Sequence, residues 1–143
     1  GEFILTDPDM KIKEYGCIYS INEGNESISD KRIKDYINLL KYPKDGKGRY
    51  TSRYVGSLVS DIHRTLKSGG IFIYPANKEA PRGKLRLLYE ASPIAFVLEM
   101  AGGSASDFYQ SILDVCPTSI HCTTPVVLGT KFEVEKLLNY YLK

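Results

Sequence analysis

Charged side chains of both signs stand close together near the middle of the sequence, where they could bind a phosphate and a metal ion. Lys84 and Arg86 alternate with leucines, and this spacing predicts a strand with both cations on one face. Guanidinium and ammonium groups bind phosphate, although two exposed cations can also be no more than a solvated strand edge. Glu90 precedes a Ser-Pro pair that is typical of a helix start. The Glu90 carboxylate is therefore either stabilised by the helix dipole alone or an oxygen ligand for Mg²⁺.

Further polar residues follow predicted strands, which is where ligands often bind in α/β proteins. Asn22 comes directly after a short apolar strand pattern, and Tyr74 closes another. Arg53 and Tyr54 follow a turn-rich loop, and tyrosine hydroxyls can donate hydrogen bonds to phosphate oxygens. The chain has 11 tyrosines, so some such coincidence is expected, and the segment around Asn22 also suits an ordinary turn.

Apolar periodicity predicts strands and helices that alternate along the whole chain. Helices are predicted within residues 29–42, 53–70, 92–103 and 131–143. Strands are predicted within residues 17–24, 71–75, 84–87, 111–115 and 125–130, and a loop is predicted at residues 43–52. Ser29 or Asp30 is expected to cap the first helix, and Ser92 the third, with Pro93 at its first position. The alternation predicts one α/β domain over residues 1–143, a layered structure with a mixed β-sheet flanked by helices.

The second predicted helix has an apolar face and two polar residues that could be taken for an acid–base pair. The apolar positions are Val55, Leu58, Val59, Ile62 and Leu66. Asp61 and His63 are two residues apart, so they do not face each other on a helix. We therefore interpret His63 as a hydrogen-bonded structural histidine rather than a catalytic one.

The charge composition carries no signature of a nucleic-acid-binding or membrane-binding protein. The chain has 19 basic and 17 acidic residues, and it has no apolar run of about 18 residues. Three cysteines without a Cys-x-x-Cys pair are interpreted as reduced thiols of an intracellular protein, and two histidines disfavour a zinc site. The sequence starts at Gly1 rather than at a methionine, so we expect natural translation to start elsewhere.

Five segments match one known family in order: GEFILTDPDMKI, IYSINEGN, RYVGSLVSDIHRTLKSGGIFIYPANK, GKLRLLYEASPIAFVLEMAGG and PVVLGT. They resemble the C-terminal half of class I fructose-1,6-bisphosphatases. The segments YPANK and GKLRLLYE distinguish this family from inositol phosphatases and sedoheptulose bisphosphatases. The resemblance implies a homotetrameric phosphatase of the cytoplasm, or of a plastid. Such an enzyme uses Mg²⁺ or Mn²⁺ to convert fructose 1,6-bisphosphate into fructose 6-phosphate.

The resemblance also implies roles for individual residues by motif match. Contacts to the 6-phosphate or the sugar would come from Asn22, Tyr54, Tyr74 and Lys84. Arg53 would reach into the active site of a neighbouring subunit, Arg86 would lie near the reacting phosphate, and Glu90 would be a metal ligand. Both arginines thus belong to the expected substrate-binding set, and Arg86 and Glu90 are the residues expected to be catalytic.

The resemblance stops short of the whole enzyme. The other metal ligands of that family and its AMP site lie in an N-terminal half that these 143 residues do not include. One carboxylate cannot assemble a centre of two or three metal ions, so we expect this chain alone to be inactive or nearly so. Two alternatives stay open: a non-catalytic structural or regulatory subunit, which could act as a sugar-phosphate sensor, and a related phosphatase with another substrate. Exposed apolar surface is expected where the other half would dock.

Overall fold

The computed structural model describes residues 1–43 and 48–143, and strands and helices alternate through them. The strands in this part of the chain are β1 (Ile18–Ser20), β2 (Thr51–Ser52), β3 (Ile71–Tyr74), β4 (Leu85–Arg86), β5 (Ser104–Ser106), β6 (Thr123–Thr124) and β7 (Val126–Gly129). The α-helices are α1 (Lys31–Lys41), α2 (Leu58–Ser68), α3 (Ser92–Met100) and α4 (Lys131–Tyr141). Short 3₁₀ helices span Glu23–Ile28 and Ile112–Asp114, and a π-helical turn, Leu87–Ala91, leads directly into α3.

Five strands form one mixed sheet in the order β2-β1-β3-β7-β5. Strand β1 pairs in parallel with both β2 and β3, whereas β7 pairs antiparallel with β3 and with β5. The remaining strands, β4 and β6, form a separate antiparallel pair. The three parallel strands therefore end at the same edge of the large sheet, which makes that edge a candidate ligand site.

Helices cover both faces of the large sheet, so the domain has three layers. Side chains of β3 alternate between the faces: Phe72 packs with α2 and α3, whereas Ile71 and Ile73 pack with α1 and α4. Leu98 of α3 and Leu137 of α4 are both fully buried, one in each of the two cores. The predicted fold class, a layered α/β structure with a mixed sheet flanked by helices, is confirmed.

The ends of two predicted helices differ from the expectation. Asp30 rather than Ser29 caps α1, because its side chain accepts a hydrogen bond from the Arg32 amide at 2.7 Å. Ser92 does not cap α3, since Ala91 before it already has helical backbone angles and the π-helical turn continues into the helix. The prediction of an N-cap at Ser92 was therefore wrong.

The predicted apolar face of α2 is correct only in part. Ile62 is buried, but Val59 is 74% exposed and Val55, 66% exposed, lies before the helix begins. Residues 111–115 were predicted as a strand, but they contain a 3₁₀ helix that starts where the Ser111 hydroxyl accepts the Leu113 amide at 3.2 Å.

Two strands were not expected at all, and one fell within a predicted loop. Strands β5 and β6 consist of Ser, Ala and Thr, residues with no clear strand pattern. Strand β2 lies within the segment predicted as a loop at residues 43–52, of which residues 44–47 lie outside the described part of the chain.

Exposed apolar side chains cover the outer side of the π-helical turn and of α3. The set comprises Leu88, Tyr89, Phe96, Val97 and Met100, with Met100 61% exposed. Exposed apolar side chains are thus present, and their use as a docking surface for another half stays a prediction. Among the described residues, no helix is both long and apolar enough to cross a membrane.

Candidate functional site

The carboxyl ends of the three parallel strands bring most of the predicted binding residues to one edge of the sheet. Asn22 follows β1, Arg53 and Tyr54 follow β2, and Tyr74 is the last residue of β3. The amide of Arg53 donates to the carbonyl of Tyr19 at 2.9 Å, which continues the pairing of β1 and β2 past the end of the ladder. Asn22 and Tyr74 thus lie at strand ends, as the sequence predicted.

Asn22 and Tyr74 line the same cleft at this edge. The side-chain oxygen of Asn22 accepts the Gly24 amide at 3.1 Å and starts the 3₁₀ helix Glu23–Ile28. The lining of the cleft also includes Asn77, whose side-chain oxygen accepts the Ala80 amide at 2.8 Å and folds the loop after β3. Two short-range side-chain caps thus fix two backbone segments that line the cleft.

Tyr54 and Tyr74 are half-buried neighbours on the core beneath the strand ends. Both rings pack against the cluster that contains Phe72, and the Phe72 and Tyr74 ring centroids are 6.3 Å apart. Burial raises the pKa of the Tyr54 hydroxyl, and the nearby Tyr74 and Asp61 groups raise it further. Tyr54 therefore keeps its proton at neutral pH and can donate a hydrogen bond to an anionic ligand.

Lys84 and Arg86 lie on the exposed face of the β4 segment, as the alternating pattern predicted. Leu85 and Leu87 point to the other side and are buried in the same core cluster against which Tyr54 packs. Strand β4 pairs with β6, and the Leu87 amide extends that pairing to the Cys122 carbonyl at 2.9 Å. The segment that carries these two exposed cations therefore packs on the same core cluster as Tyr54 and Tyr74.

Arg86 and Glu90 contact each other across the π-helical turn. One Glu90 oxygen, Oε2, accepts the Arg86 amide at 2.7 Å and lies 3.9 Å from the Arg86 guanidinium. Glu90 thus lies inside the first turn rather than before the helix, where its charge also suits the positive end of the helix. Both interpretations of Glu90 from the sequence remain compatible with this geometry.

A divalent cation fits Glu90 only as one oxygen ligand of several. With Oε2 held by the backbone, Oε1 is the oxygen that could bind a metal ion. Within residues 1–43 and 48–143, no group of three or more His, Cys, Asp or Glu side chains is arranged to hold a metal. The metal-ligand role of Glu90 stays a prediction.

The Arg53 side chain bonds to its own backbone segment rather than to the other candidate residues that the structure describes. Its guanidinium donates to the carbonyl of neighbouring Ser52 at 3.0 Å and is exposed. The predicted reach of Arg53 into a neighbouring subunit stays a prediction.

Sequence reasoning missed an ion pair directly behind the strand ends. Asp61 is fully buried in the first turn of α2, and Arg64 donates to it at 2.6 Å. Their spacing of three residues on a helix could have revealed the pair. His63, by contrast, is exposed and has no hydrogen bond among the described residues, so the expected hydrogen bond was wrong, and its non-catalytic role stays a prediction.

Comparison with known proteins supplies the family. Residues 12–142 match the family described as fructose-1-6-bisphosphatase, C-terminal domain. Over 143 residues the chain is 54% identical to fructose-1,6-bisphosphatase 1 of Mus musculus, a match that covers 100% of this chain and 42% of that protein. Over 141 residues it is 51% identical to the cytosolic fructose-1,6-bisphosphatase of Musa acuminata, with 99% and 41% covered. The chain thus spans less than half the length of these relatives. It belongs to the fructose-1,6-bisphosphatase family, within which it matches the C-terminal domain.

Proposed function

We propose that this chain is the sugar-phosphate-binding part of a metal-dependent phosphatase that hydrolyses fructose 1,6-bisphosphate to fructose 6-phosphate and inorganic phosphate. The observation that supports it most is the gathering of Asn22, Tyr54 and Tyr74 at the ends of three parallel strands in a member of this family. Relatives that match the whole chain are named fructose-1,6-bisphosphatases, which supports the choice of substrate.

The phosphate that does not react and the sugar are bound by neutral donors and one cation. Tyr54 and Tyr74 offer hydroxyl donors, Asn22 an amide, and Lys84 a point charge on the exposed face of β4. Hydrogen bonds between charged and neutral partners are shorter and stronger than those between neutral groups, so this set suits a 6-phosphate. Two rigid tyrosine rings on a packed core hold their hydroxyls without losing much side-chain entropy.

The reacting phosphate lies beside Arg86 and Glu90 in this proposal. During hydrolysis a water oxygen forms a new bond to phosphorus, the bond between phosphorus and the C1 oxygen breaks, and that oxygen takes up a proton. Arg86 places positive charge where negative charge accumulates on the phosphoryl oxygens. Glu90 would be one ligand of Mg²⁺ or Mn²⁺, which would supply further positive charge beside the reacting phosphate. The remaining metal ligands would lie outside these 143 residues, so the chain alone would be inactive or nearly so.

The assembly forms part of the proposal. We place the protein in the cytoplasm, or in a plastid, as a homotetramer in which Arg53 reaches the active site of a neighbouring subunit. The exposed apolar side chains on α3, among them Phe96 and Met100, support a packing surface for another part of the same protein.

The test uses the protein that contains this chain, purified at its natural length. Phosphate release is measured with fructose 1,6-bisphosphate, sedoheptulose bisphosphate and inositol monophosphate, each with Mg²⁺ and with a chelator. We expect release from fructose 1,6-bisphosphate in the presence of metal. Lys84→Ala should raise the Kd for fructose 6-phosphate about 10- to 100-fold, since hydrogen bonds to charged groups contribute about 1.5–3 kcal/mol. Arg82→Ala is the matched control, because Arg82 is an exposed cation two residues away.

Each other outcome selects an alternative. Binding of fructose 6-phosphate without phosphate release would favour a sugar-phosphate sensor. Loss of both, with Lys84→Ala behaving like wild type, would favour a structural subunit. Preference for inositol or sedoheptulose phosphates would assign the protein to a related phosphatase.

A further inference from the structure

We propose that Asp61 and Arg64 are positioning residues, which set the distance between Asn22 and Tyr54 and thereby the affinity for the sugar phosphate. The inference rests on the proposed function, because it concerns the same ligand. It adds a role for the ion pair between buried Asp61 and half-buried Arg64, neither of which belongs to the predicted contact residues. The pair is called the Asp61–Arg64 pair below.

Asp61 holds the backbone that follows Tyr54. Its carboxylate is fully buried, at 0% exposure, and accepts the amides of Val55 at 3.0 Å and Gly56 at 3.1 Å. A buried carboxylate is costly unless it is paired and hydrogen-bonded, so these contacts are strongly favoured over any looser arrangement. The segment just after Tyr54 is therefore tied to the first turn of α2.

Arg64 ties that same segment to the neighbouring strand. One guanidinium nitrogen, Nη2, donates to the Arg53 carbonyl at 2.9 Å and to the Ser20 hydroxyl at 2.7 Å, besides its bond to Asp61. Ser20 is the last residue of β1, two residues before Asn22, and Arg53 directly precedes Tyr54. A single nitrogen thus links the two strand ends that carry Asn22 and Tyr54.

The Asp61–Arg64 pair lies beside the proposed sugar-phosphate-binding residues, so its loss should affect binding and the chemical step differently. Strands β1 and β2 are joined by only two ladder pairs, so their ends depend on additional contacts such as those of Arg64. In the described part of the chain, none of the hydrogen bonds of the Asp61–Arg64 pair reaches Arg86 or Glu90. Loss of one hydrogen bond to a charged ligand, when its donor moves out of reach, costs about tenfold or more in affinity. Loss of the pair should therefore weaken sugar-phosphate binding far more than it slows turnover.

The decisive variants are Arg64→Met, which removes all donors, and Arg64→Lys, which restores some. The buried Nε of Arg64 has no hydrogen-bond partner among the described residues, so its loss in the lysine variant removes none of the contacts seen there. Nη2 has two hydrogens for its three acceptors and must share one of them, whereas a lysine ammonium has three hydrogens. We expect Arg64→Met to raise KM for fructose 1,6-bisphosphate and Kd for fructose 6-phosphate at least about tenfold, the order expected for one lost hydrogen bond to a charged ligand, with kcat within about threefold. Arg64→Lys should recover most of this loss.

Two further variants keep the test decisive if Arg64→Met folds poorly. Ser20→Ala removes one acceptor of Arg64 with little change in volume, and it should raise KM several-fold while the protein stays folded. Val134→Ala, in α4 on the other face of the sheet, lowers stability through a core cavity away from the site and serves as the control. It should lower the melting temperature and leave KM unchanged.

The outcomes separate this inference from the proposed function. If the unmodified protein neither binds fructose 6-phosphate nor hydrolyses the bisphosphate, the proposed function is wrong. If it does both, but Arg64→Met and Ser20→Ala behave like Val134→Ala, with lower melting temperature and unchanged KM, the pair is merely structural. A fall in kcat equal to the rise in KM, without recovery in Arg64→Lys, would also overturn the positioning role. Fluorotyrosine NMR adds a readout without ligand, since the Tyr54 signal should move in Arg64→Met and return in Arg64→Lys.

Discussion

Replacing Gly83 by alanine tests whether the close approach of β4 to β6 fixes the position of Lys84. Gly83 directly precedes Lys84, has a φ of +74°, and is buried against the β6 side of the pair. A Cβ at this position would lie 2.2 Å from the backbone nitrogen of Pro125 and 2.4 Å from the carbonyl oxygen of Thr124. Backbone atoms cannot rotate away as a side chain can, so β4 and β6 would have to separate.

The size of the effect follows from two contributions that a matched variant separates. An alanine in left-handed backbone costs about 1–2 kcal/mol. Forcing an extra carbon into a packed position costs about 1–3 kcal/mol more. Gly102 has a φ of +87°, but a Cβ added there would meet no atom of the described residues within 4 Å beyond its chain neighbours. Gly102→Ala therefore carries the first cost alone. Gly83→Ala should destabilise the protein by about 2–5 kcal/mol, against about 1–2 kcal/mol for Gly102→Ala.

Urea denaturation of both variants measures the free energies, and titration with fructose 6-phosphate measures the effect on the site. We expect Gly83→Ala to weaken sugar-phosphate binding even where it is folded, because Lys84 moves with the strand. Gly102→Ala should keep wild-type affinity. Equal destabilisation by the two substitutions, or unchanged affinity in folded Gly83→Ala, would refute the argument from the close approach of β4 and β6.

Three further substitutions test other parts of the structure. Asp30→Ala removes the cap of α1 and should cost about 1 kcal/mol in urea denaturation. Leu98→Ala should cost about 2–5 kcal/mol, because Leu98 is fully buried in α3. Burial raises the pKa of the Glu133 carboxyl, against the opposing hydrogen bond from Tyr50. A pKa that is raised in the folded state gives stability that is present at low pH and lost as the pH rises. Glu133→Gln does not ionise. Its melting temperature should therefore exceed that of wild type above about pH 4.3, the ordinary pKa of glutamate.

The parts of the site that could be predicted are those that depend on local pattern. The alternation from Lys84 to Leu87 is a period-two signal, and it correctly assigned the cations to the exposed face and the leucines to the core. The strand ends with Asn22 and Tyr74 were also recognisable, because apolar runs stop there at polar residues. Which strands are neighbours, and so which ends meet, depends on pairing between distant segments, and no local pattern carries that information.

The errors arise where a tertiary contact outweighs a local preference. Val55 has the spacing of the α2 face, but Asp61 binds the Val55 and Gly56 amides and holds this segment outside the helix. The Ser-Pro pair at residues 92–93 is a typical helix start, but Glu90 binds the Arg86 amide and the helical turn begins before it. In both cases a carboxylate in the first turn accepts hydrogen bonds from backbone amides that precede the helix. A search for Ser, Thr, Asp or Asn in front of a helix does not find such carboxylates.

Removal of the metal ion tests whether the sugar phosphate is bound by hydrogen-bond donors of the protein or through the metal. In the proposed site, Asn22, Tyr54, Tyr74 and Lys84 would bind a phosphate without any metal, since each offers a hydrogen-bond donor. Among the described residues, Glu90 is the metal ligand that we propose, and the Arg86 amide, which donates to its Oε2, fixes this carboxylate in the structure. A chelator should therefore abolish phosphate release by the full-length protein and change the Kd for fructose 6-phosphate by less than about threefold, well below the tenfold that corresponds to about 1.4 kcal/mol. If the chelator weakens binding of fructose 6-phosphate as strongly as Lys84→Ala does, the sugar phosphate is bound through the metal, and the assignment of the 6-phosphate to these four residues is wrong.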